Sequence, residues 1–251
     1  MPPALPDIKA LAVRQWRDYR LRTPGTIFGA EHTPLHLSDA YRLQREVTHL
    51  RQEVGDRVVG YKVGCIGPGV VEQFGMAGPI RGYLHESEMR RSGATLQHDA
   101  YANLAIEGEM AVTIGPDGAI ASAFPVIELH HFVFRGASKT LVELVANNGL
   151  NAGAVVPALD RRPSLDQWTA SRALSVTING GTIDSGGLWS MAGGVDEVIA
   201  WLGAHLRQSG ERLAPGDLVL TGTPLGLHPV RPGDNVVVSV DGVAFVDCEI
   251  V

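Results

Sequence analysis

The sequence predicts a mixed α/β, β-rich protein. Strand-like segments follow one another without regular crossover helices, which argues against a doubly wound parallel sheet. Glycine and proline, at 30 and 15 residues, are abundant and imply many turns. Asn179-Gly180-Gly181 and Asp241-Gly242 each separate two alternating segments, the pattern of a hairpin.

The elements follow in chain order. Residues 1–56 read as an N-terminal helical segment packed on the core, and 57–251 as one β-rich unit. Within the first, apolar Ala40, Leu43, Val47, Leu50 and Val54 recur at spacings of three and four and predict a helix over 36–54. Ser38 is its candidate cap and Gly55 its stop. A short β-branched strand is expected over 57–63, followed by a glycine-rich irregular stretch over 64–82. Strands are expected over 102–114 and 124–134, separated by a turn at Pro116-Asp117-Gly118, and then a short helix over 139–150. The hairpin at Asn179 joins strands 174–178 and 182–185. Val195, Val198, Ile199, Leu202 and Leu206 share one face of a helix that stops at Gly210. Strands over 218–221, 235–240 and 244–250 close the chain.

Composition narrows the function. A chain that is 45% hydrophobic and 19% charged is not disordered, and two cysteines, Cys65 and Cys248, do not make a disulfide framework. No apolar run approaches the roughly 20 residues of a membrane span. The N-terminus has no apolar signal core, so a soluble, cytoplasmic protein is expected. Net charge is −6 and no Lys/Arg block is present, which argues against nucleic acid as a partner.

The most informative segment is Ile106-Glu107-Gly108-Glu109-Met110. On a strand, Glu107 and Glu109 share a face, roughly 6–7 Å apart along the backbone. Their apolar neighbours would screen the repulsion poorly, and a divalent cation would relieve it. Oxygen ligands favour Mg²⁺ or Mn²⁺ over zinc. Two solvated glutamates on an exposed edge strand are the alternative. Glu128 is an acid inside an otherwise apolar strand, where carboxylates are rare unless paired or ligating. His130 and His131 follow it as further candidates, for ligation or a satisfied polar contact. Lys62 lies in an apolar strand between Gly60 and Gly64. It either acts on a substrate, as a base or anion ligand, or snorkels out at a strand edge. Thr221-Gly222-Thr223 ends another strand, where backbone N–H groups could meet a carboxylate; the alternative is a plain turn.

Together these segments resemble the fumarylacetoacetate hydrolase superfamily, within it the 2-keto-4-pentenoate hydratase and 4-oxalocrotonate decarboxylase branch. The resemblance runs over nearly the whole chain. It is carried by Asp39-Ala40-Tyr41-Arg42-Leu43-Gln44, by Arg57-Val58-Val59-Gly60-Tyr61-Lys62-Val63-Gly64, and by Glu107-Gly108-Glu109 followed by Glu128. The segment from Gly210 to Gly222 and Pro232-Gly233-Asp234 complete it. The resemblance implies a β-roll core like that family's C-terminal domain, with peripheral helices. It implies Glu107, Glu109 and Glu128 as ligands of Mg²⁺ or Mn²⁺, and Lys62 as a group that positions or deprotonates the substrate. His130 and His131 are further catalytic candidates, and Asn147, Asn148, Thr221, Gly222 and Thr223 are expected to bind substrate. A homo-oligomer acting on a small 2-oxo acid or 2-hydroxydienoate is expected.

The implied reaction is hydration of a 2-hydroxy-2,4-dienoate in aromatic meta-cleavage catabolism. Decarboxylation of a 2-oxo-dioate and C–C hydrolysis of an acylpyruvate are the alternatives on the same metal, and a non-catalytic 2-oxo acid binder is the alternative of another class. Departures from the branch bear on this choice. Ile80 stands where the hydratases carry an aspartate, and Ala146-Asn147-Asn148-Gly149-Leu150 replaces a segment containing an acid and a hydroxyl. Thr221-Gly222-Thr223-Pro224 is closer to the hydrolase branch. Glu86, Glu88, His130 and His131 are the residues that could replace the missing acid.

Overall fold

The computed structural model describes residues 6–29, 35–66, 78–169 and 171–251. Two helices come first, α1 (Ile8–Arg20) and α2 (Leu37–Glu53). The strands β1 (Val58–Gly64), β2 (Ile80–His85), β3 (Met89–Arg91), β4 (Ala94–Leu96), β5 (Leu104–Ile114) and β6 (Ile120–His131) follow. Helix α3 (Leu141–Ala146) leads into β7 (Asn151–Val156), β8 (Ala173–Ile178) and β9 (Gly181–Gly187). Helix α4 (Gly194–Gln208) precedes β10 (Leu218–Leu220), β11 (His228–Pro229), β12 (Asn235–Val240) and β13 (Val243–Ile250).

The strands form two sheets. The larger has the order β2-β1-β10-β5-β6-β7-β3, with β11 paired to β5, and the smaller the order β4-β13-β12-β8-β9. Most pairings are antiparallel; β1 with β10, β3 with β7, and β4 with β13 are parallel. The fold is thus the strand-rich α/β architecture the sequence predicts. No helix among the described residues is long and apolar enough to cross a membrane.

Strand periodicity sorts the core. Ile106, Met110 and Val112 of β5, with Ile127 and Leu129 of β6, pack against Val176, Val236, Val238 and Val246 of the smaller sheet. The sheets meet closely at Gly108. A Cβ there would lie 2.5 Å from Val176 Cγ2 and 3.1 Å from Val238 Cγ2. The opposite face of the same strands carries Ala111, Phe124 and Val126, packed with Leu218 and Leu220. Glu107, Glu109, Glu128 and His130 lie on that second face by the same alternation. Helices α1, α2 and α3 pack together through Ile8, Ala12, Ala40, Leu43 and Leu144, joined by Ile80 and Leu150.

Several boundaries differ from the sequence expectation. Helix α1 has no clear apolar stripe, because its buried positions are Ile8, Ala12, Gln15 and Asp18, half of them polar. Asp7 caps it, accepting from Ala10 N at 3.1 Å. Helix α2 starts one residue before Ser38. His36 is the cap position, and the Asp39 carboxylate accepts from His36 N at 3.3 Å. Gly55 does follow the helix end, at φ +88. Within the expected irregular stretch, Ile80–His85 is a strand buried at every position, so it shows no alternation to read. Residues 67–77 of that stretch lie outside the described residues. The helix expected over 139–150 is only Leu141–Ala146, and β7 begins directly after a single turn.

Candidate active site

Register places the acidic side chains. Glu107 of β5 lies directly opposite Glu128 of β6, and Glu109 is two residues along the same face. His130 follows Glu128 by two and shares its face. Its Nε2 lies 3.3 Å from Glu107 Oε2 and 3.5 Å from Glu128 Oε2. Lys62 reaches in from β1, with Nζ 3.2 Å from Glu128 Oε1. Asn151 of β7, opposite His130, donates Nδ2 to the same Glu128 oxygen at 2.7 Å. All these side chains except Glu107 are buried.

Burial and mutual charge set the protonation. Burial, and then the charge of Glu128, push the Glu109 carboxyl well above the ordinary carboxylate range. Burial would raise Glu128 too, but Lys62 and His130 outweigh it and hold Glu128 well below that range. Burial pulls His130 down; Glu128 and Glu107 outweigh it and hold the imidazole up at about 9. Lys62 is likewise held above its ordinary value, since Glu128, Glu107 and Glu109 exceed the penalty of burial.

The donor set fits a hard divalent cation. Ligand atoms of Glu107, Glu128 and His130 lie within 4.8 Å of one another. Glu109 has one oxygen accepting from Gly222 N at 2.7 Å, while its Oε1 is buried without a hydrogen-bond partner. An unmatched oxygen beside a second buried carboxylate is relieved by a cation. The sequence put Glu109 in the ligand set and left His130 open; the structure gathers His130 with Glu107 and Glu128, and brings Glu109 alongside.

These groups open onto a cleft of about 480 Å³. Lys62, Glu107 and His130 form its charged part. Ile80, Phe132, Phe134, Leu144 and Leu150 form an apolar wall. Gly149, at φ +65, lines the cleft against Lys62; a Cβ there would lie 3.0 Å from the lysine Cε. Gly222 and Thr223 also line it, but their polar groups are engaged with the protein. Gly222 N holds Glu109, and the Thr223 hydroxyl donates to Gly108 O at 2.7 Å. Thr221 is buried behind them, its hydroxyl donating to Met110 O at 2.7 Å. The rim is fastened by Asp184 of β9, which accepts from Gly226 N at 2.7 Å and lies 3.1 Å from His228 Nε2.

Three of the expected site residues lie elsewhere. Strand alternation turns His131 to the face opposite His130, where its Nδ1 accepts from Ala102 N at 2.8 Å. Asn147 accepts from Gln15 and donates Nδ2 to Glu143 O at 2.9 Å. Asn148 clips onto the backbone of Tyr83, with bonds of 2.8 Å in both directions. Both asparagine side chains are therefore spent on the scaffold and do not line the cleft. Of the other acids considered, Glu86 is exposed and paired with Arg57 at 2.6 Å, and Glu88 is paired with Arg51 at 2.8 Å. Asn151 and the apolar wall were not legible as site residues. A polar residue heading the apolar run Asn-Ala-Gly-Ala-Val-Val is the signal that could have pointed to Asn151.

A strand-rich fold with buried carboxylates and a lysine at one end of an apolar cleft defines an enzyme site. The chain belongs to the fumarylacetoacetate (FAA) hydrolase C-terminal family, which matches residues 76–251. It is 25% identical over 235 residues to a 4-oxalocrotonate decarboxylase of Pseudomonas putida, covering 88% of each chain. It is 26% identical over 221 residues to a 2-keto-4-pentenoate hydratase of Paraburkholderia phymatum, covering 82% of this chain and 83% of that one. Its fold matches that of 4-oxalocrotonate decarboxylase from Pseudomonas putida G7, solved with magnesium and adipate, at a TM-score of 0.89. That match has 22% identity and covers 99% of both chains.

Proposed function

We propose that the protein is a divalent-metal-dependent lyase of small 2-oxo acids, with Glu107, Glu109 and Glu128 holding Mg²⁺ or Mn²⁺ and His130 beside them. The cation would supply an electrophile for the 2-oxo carboxylate end of the substrate. Lys62, with Nζ 3.2 Å from Glu128 Oε1, is placed to hold or hand over a proton at the oxo oxygen as negative charge develops there. Asn151 and Lys62 together orient Glu128. The apolar wall receives the substrate tail and excludes water from it.

The observation that favours one reaction over the other is Ile80, buried in that wall. Hydration needs a proton carrier at the far carbon, typically worth about 10²–10⁴-fold. Among the described residues, His131, Asn147, Glu86 and Glu88 do not reach the cleft, and His130 stands among the glutamates. Decarboxylation needs less of the wall. The bond to the far carboxylate breaks, CO₂ leaves, and the electron pair moves through the conjugated chain to the oxo group. An apolar wall disfavours the charged carboxylate and favours its loss. This ranks decarboxylation of a 2-oxo-dioate ahead of hydration, reversing the order drawn from the sequence. Hydration of a 2-hydroxy-2,4-dienoate remains the second reading, supported by the likeness to the hydratase.

The test is to supply Mg²⁺-loaded protein with 4-oxalocrotonate and, separately, with 2-hydroxypenta-2,4-dienoate. CO₂ release from the first with little loss of diene absorbance from the second is expected. The reverse result would restore the hydratase reading.

A further inference from the structure

A second hollow, of about 320 Å³, lies on the other side of β6 from the cleft: His131 lines it, whereas the adjacent His130 lines the cleft. Arg20, Arg22 and Arg90 converge on it, with Tyr101. None of the three arginines is ion-paired with a carboxylate among the described residues. Their recorded partners are neutral. Arg22 donates Nη1 to Asp99 O, and Arg90 donates Nη1 to Ser87 O at 2.8 Å and to Met89 O at 3.0 Å. The Arg20 guanidinium lies 4.5 Å over the Trp16 ring. The one carboxylate in the lining, Glu88, has its Oε1 matched by Arg51 at 2.8 Å and by the Tyr19 hydroxyl, while its Oε2 lies 3.8 Å from His85 Nδ1 without a hydrogen bond. Three unspent guanidinium charges around one concavity are unexpected on a chain of net charge −6.

We propose that this hollow is a binding site for a small oxyanion, a carboxylate or a phosphate. Guanidinium offers paired N–H donors whose spacing matches such an oxyanion, and the backbone carbonyls and the indole ring hold these arginines without consuming their charge. The site is separate from the metal cleft and does not depend on which reaction the cleft performs.

The experiment is calorimetric titration of the full chain with inorganic phosphate and with succinate, for the wild type and for the double variant Arg22→Gln, Arg90→Gln. Both substitutions are at exposed positions, and circular dichroism checks the fold. The wild type is expected to bind at least one anion saturably, with the affinity falling as chloride is raised. The double variant should bind it at least about tenfold more weakly, since charge-assisted hydrogen bonds are lost. Binding of phosphate alone, or of succinate alone, identifies the oxyanion the hollow prefers. Absence of saturable binding in the wild type, or equal affinity in the double variant, would overturn the proposal.

Discussion

Lys62 Nζ lies 3.2 Å from Glu128 Oε1, and both side chains are sealed from solvent. A buried ion pair is weak evidence of stability, because desolvating two charges offsets much of their attraction. Removing one partner is a different matter. The remaining charge is then uncompensated, at a cost of about 3–5 kcal/mol.

Lys62→Met is therefore expected to lower both turnover and the melting temperature. The rate should fall by about 10²–10⁴-fold if the ammonium serves proton transfer. Mn²⁺ should raise the melting temperature of the variant more than that of the wild type, since a cation replaces the charge Glu128 has lost. Thermal melts with and without Mn²⁺ read this directly. Near-normal turnover would return Lys62 to a purely structural role.

Glu109→Gln should separate binding from stability. The Glu109 carboxyl is held well above the ordinary range by burial and by Glu128, so in the absence of metal an uncharged amide of the same shape costs little. Tight Mn²⁺ binding should weaken by at least about tenfold, and activity should fall with it. Isothermal calorimetry beside a urea melt tests both halves. Unchanged Mn²⁺ affinity would remove Glu109 from the ligand set.

Ile80→Asp should alter the product rather than simply the rate. A carboxyl placed on the cleft wall supplies a proton carrier where the wild type has only hydrocarbon. The ratio of hydration to decarboxylation is expected to rise. Product analysis by nuclear magnetic resonance, on protein confirmed as folded, distinguishes this from general loss of activity. An unchanged ratio would show that the wall does not choose the reaction.

His85 should make the fold sensitive to acid. Burial, then the nearby Arg51 charge, push its pKa down to about 3. The folded protein thus resists a proton that the unfolded chain accepts at about pH 6.5. Stability rises with pH where the unfolded state binds more protons, so this contribution is complete above about pH 6.5 and erodes as pH falls. The loss is about 1.4 kcal/mol per pH unit, or about 2 kcal/mol between about pH 6.5 and pH 5. His85→Gln should flatten that part of the pH–stability curve in urea melts. Parallel curves for variant and wild type would refute this assignment.

The parts of this molecule that follow a period were legible in its sequence. The E-x-E spacing put Glu107 and Glu109 on one face of a strand, β5 forms where alternation predicts it, and β6 overlaps the expected strand to within four residues at each end. The same alternation, applied from Glu128, separates His130 from His131. What escaped was structure buried on both sides. Ile80–His85 and Asn151–Val156 have no exposed face and so no pattern. Helix α1 escaped because Gln15 and Asp18 occupy its inward face. Asn147 and Asn148 could not be placed without the tertiary partners that use their amides, Gln15 and Tyr83.

Glu107 and Glu109 are separated by a residue that has no room to grow. A methyl group on Gly108 would strike Val176 and Val238 of the facing sheet. The strand that carries the two carboxylates is, on its reverse side, packed against the other half of the β core. Mutational drift in Val176 or Val238, far from the cleft in sequence and hidden from any ligand, can therefore tilt β5 and change the distance between Glu107 and the facing Glu128. The spacing of the carboxylates has a second set of custodians, and they are ordinary valines.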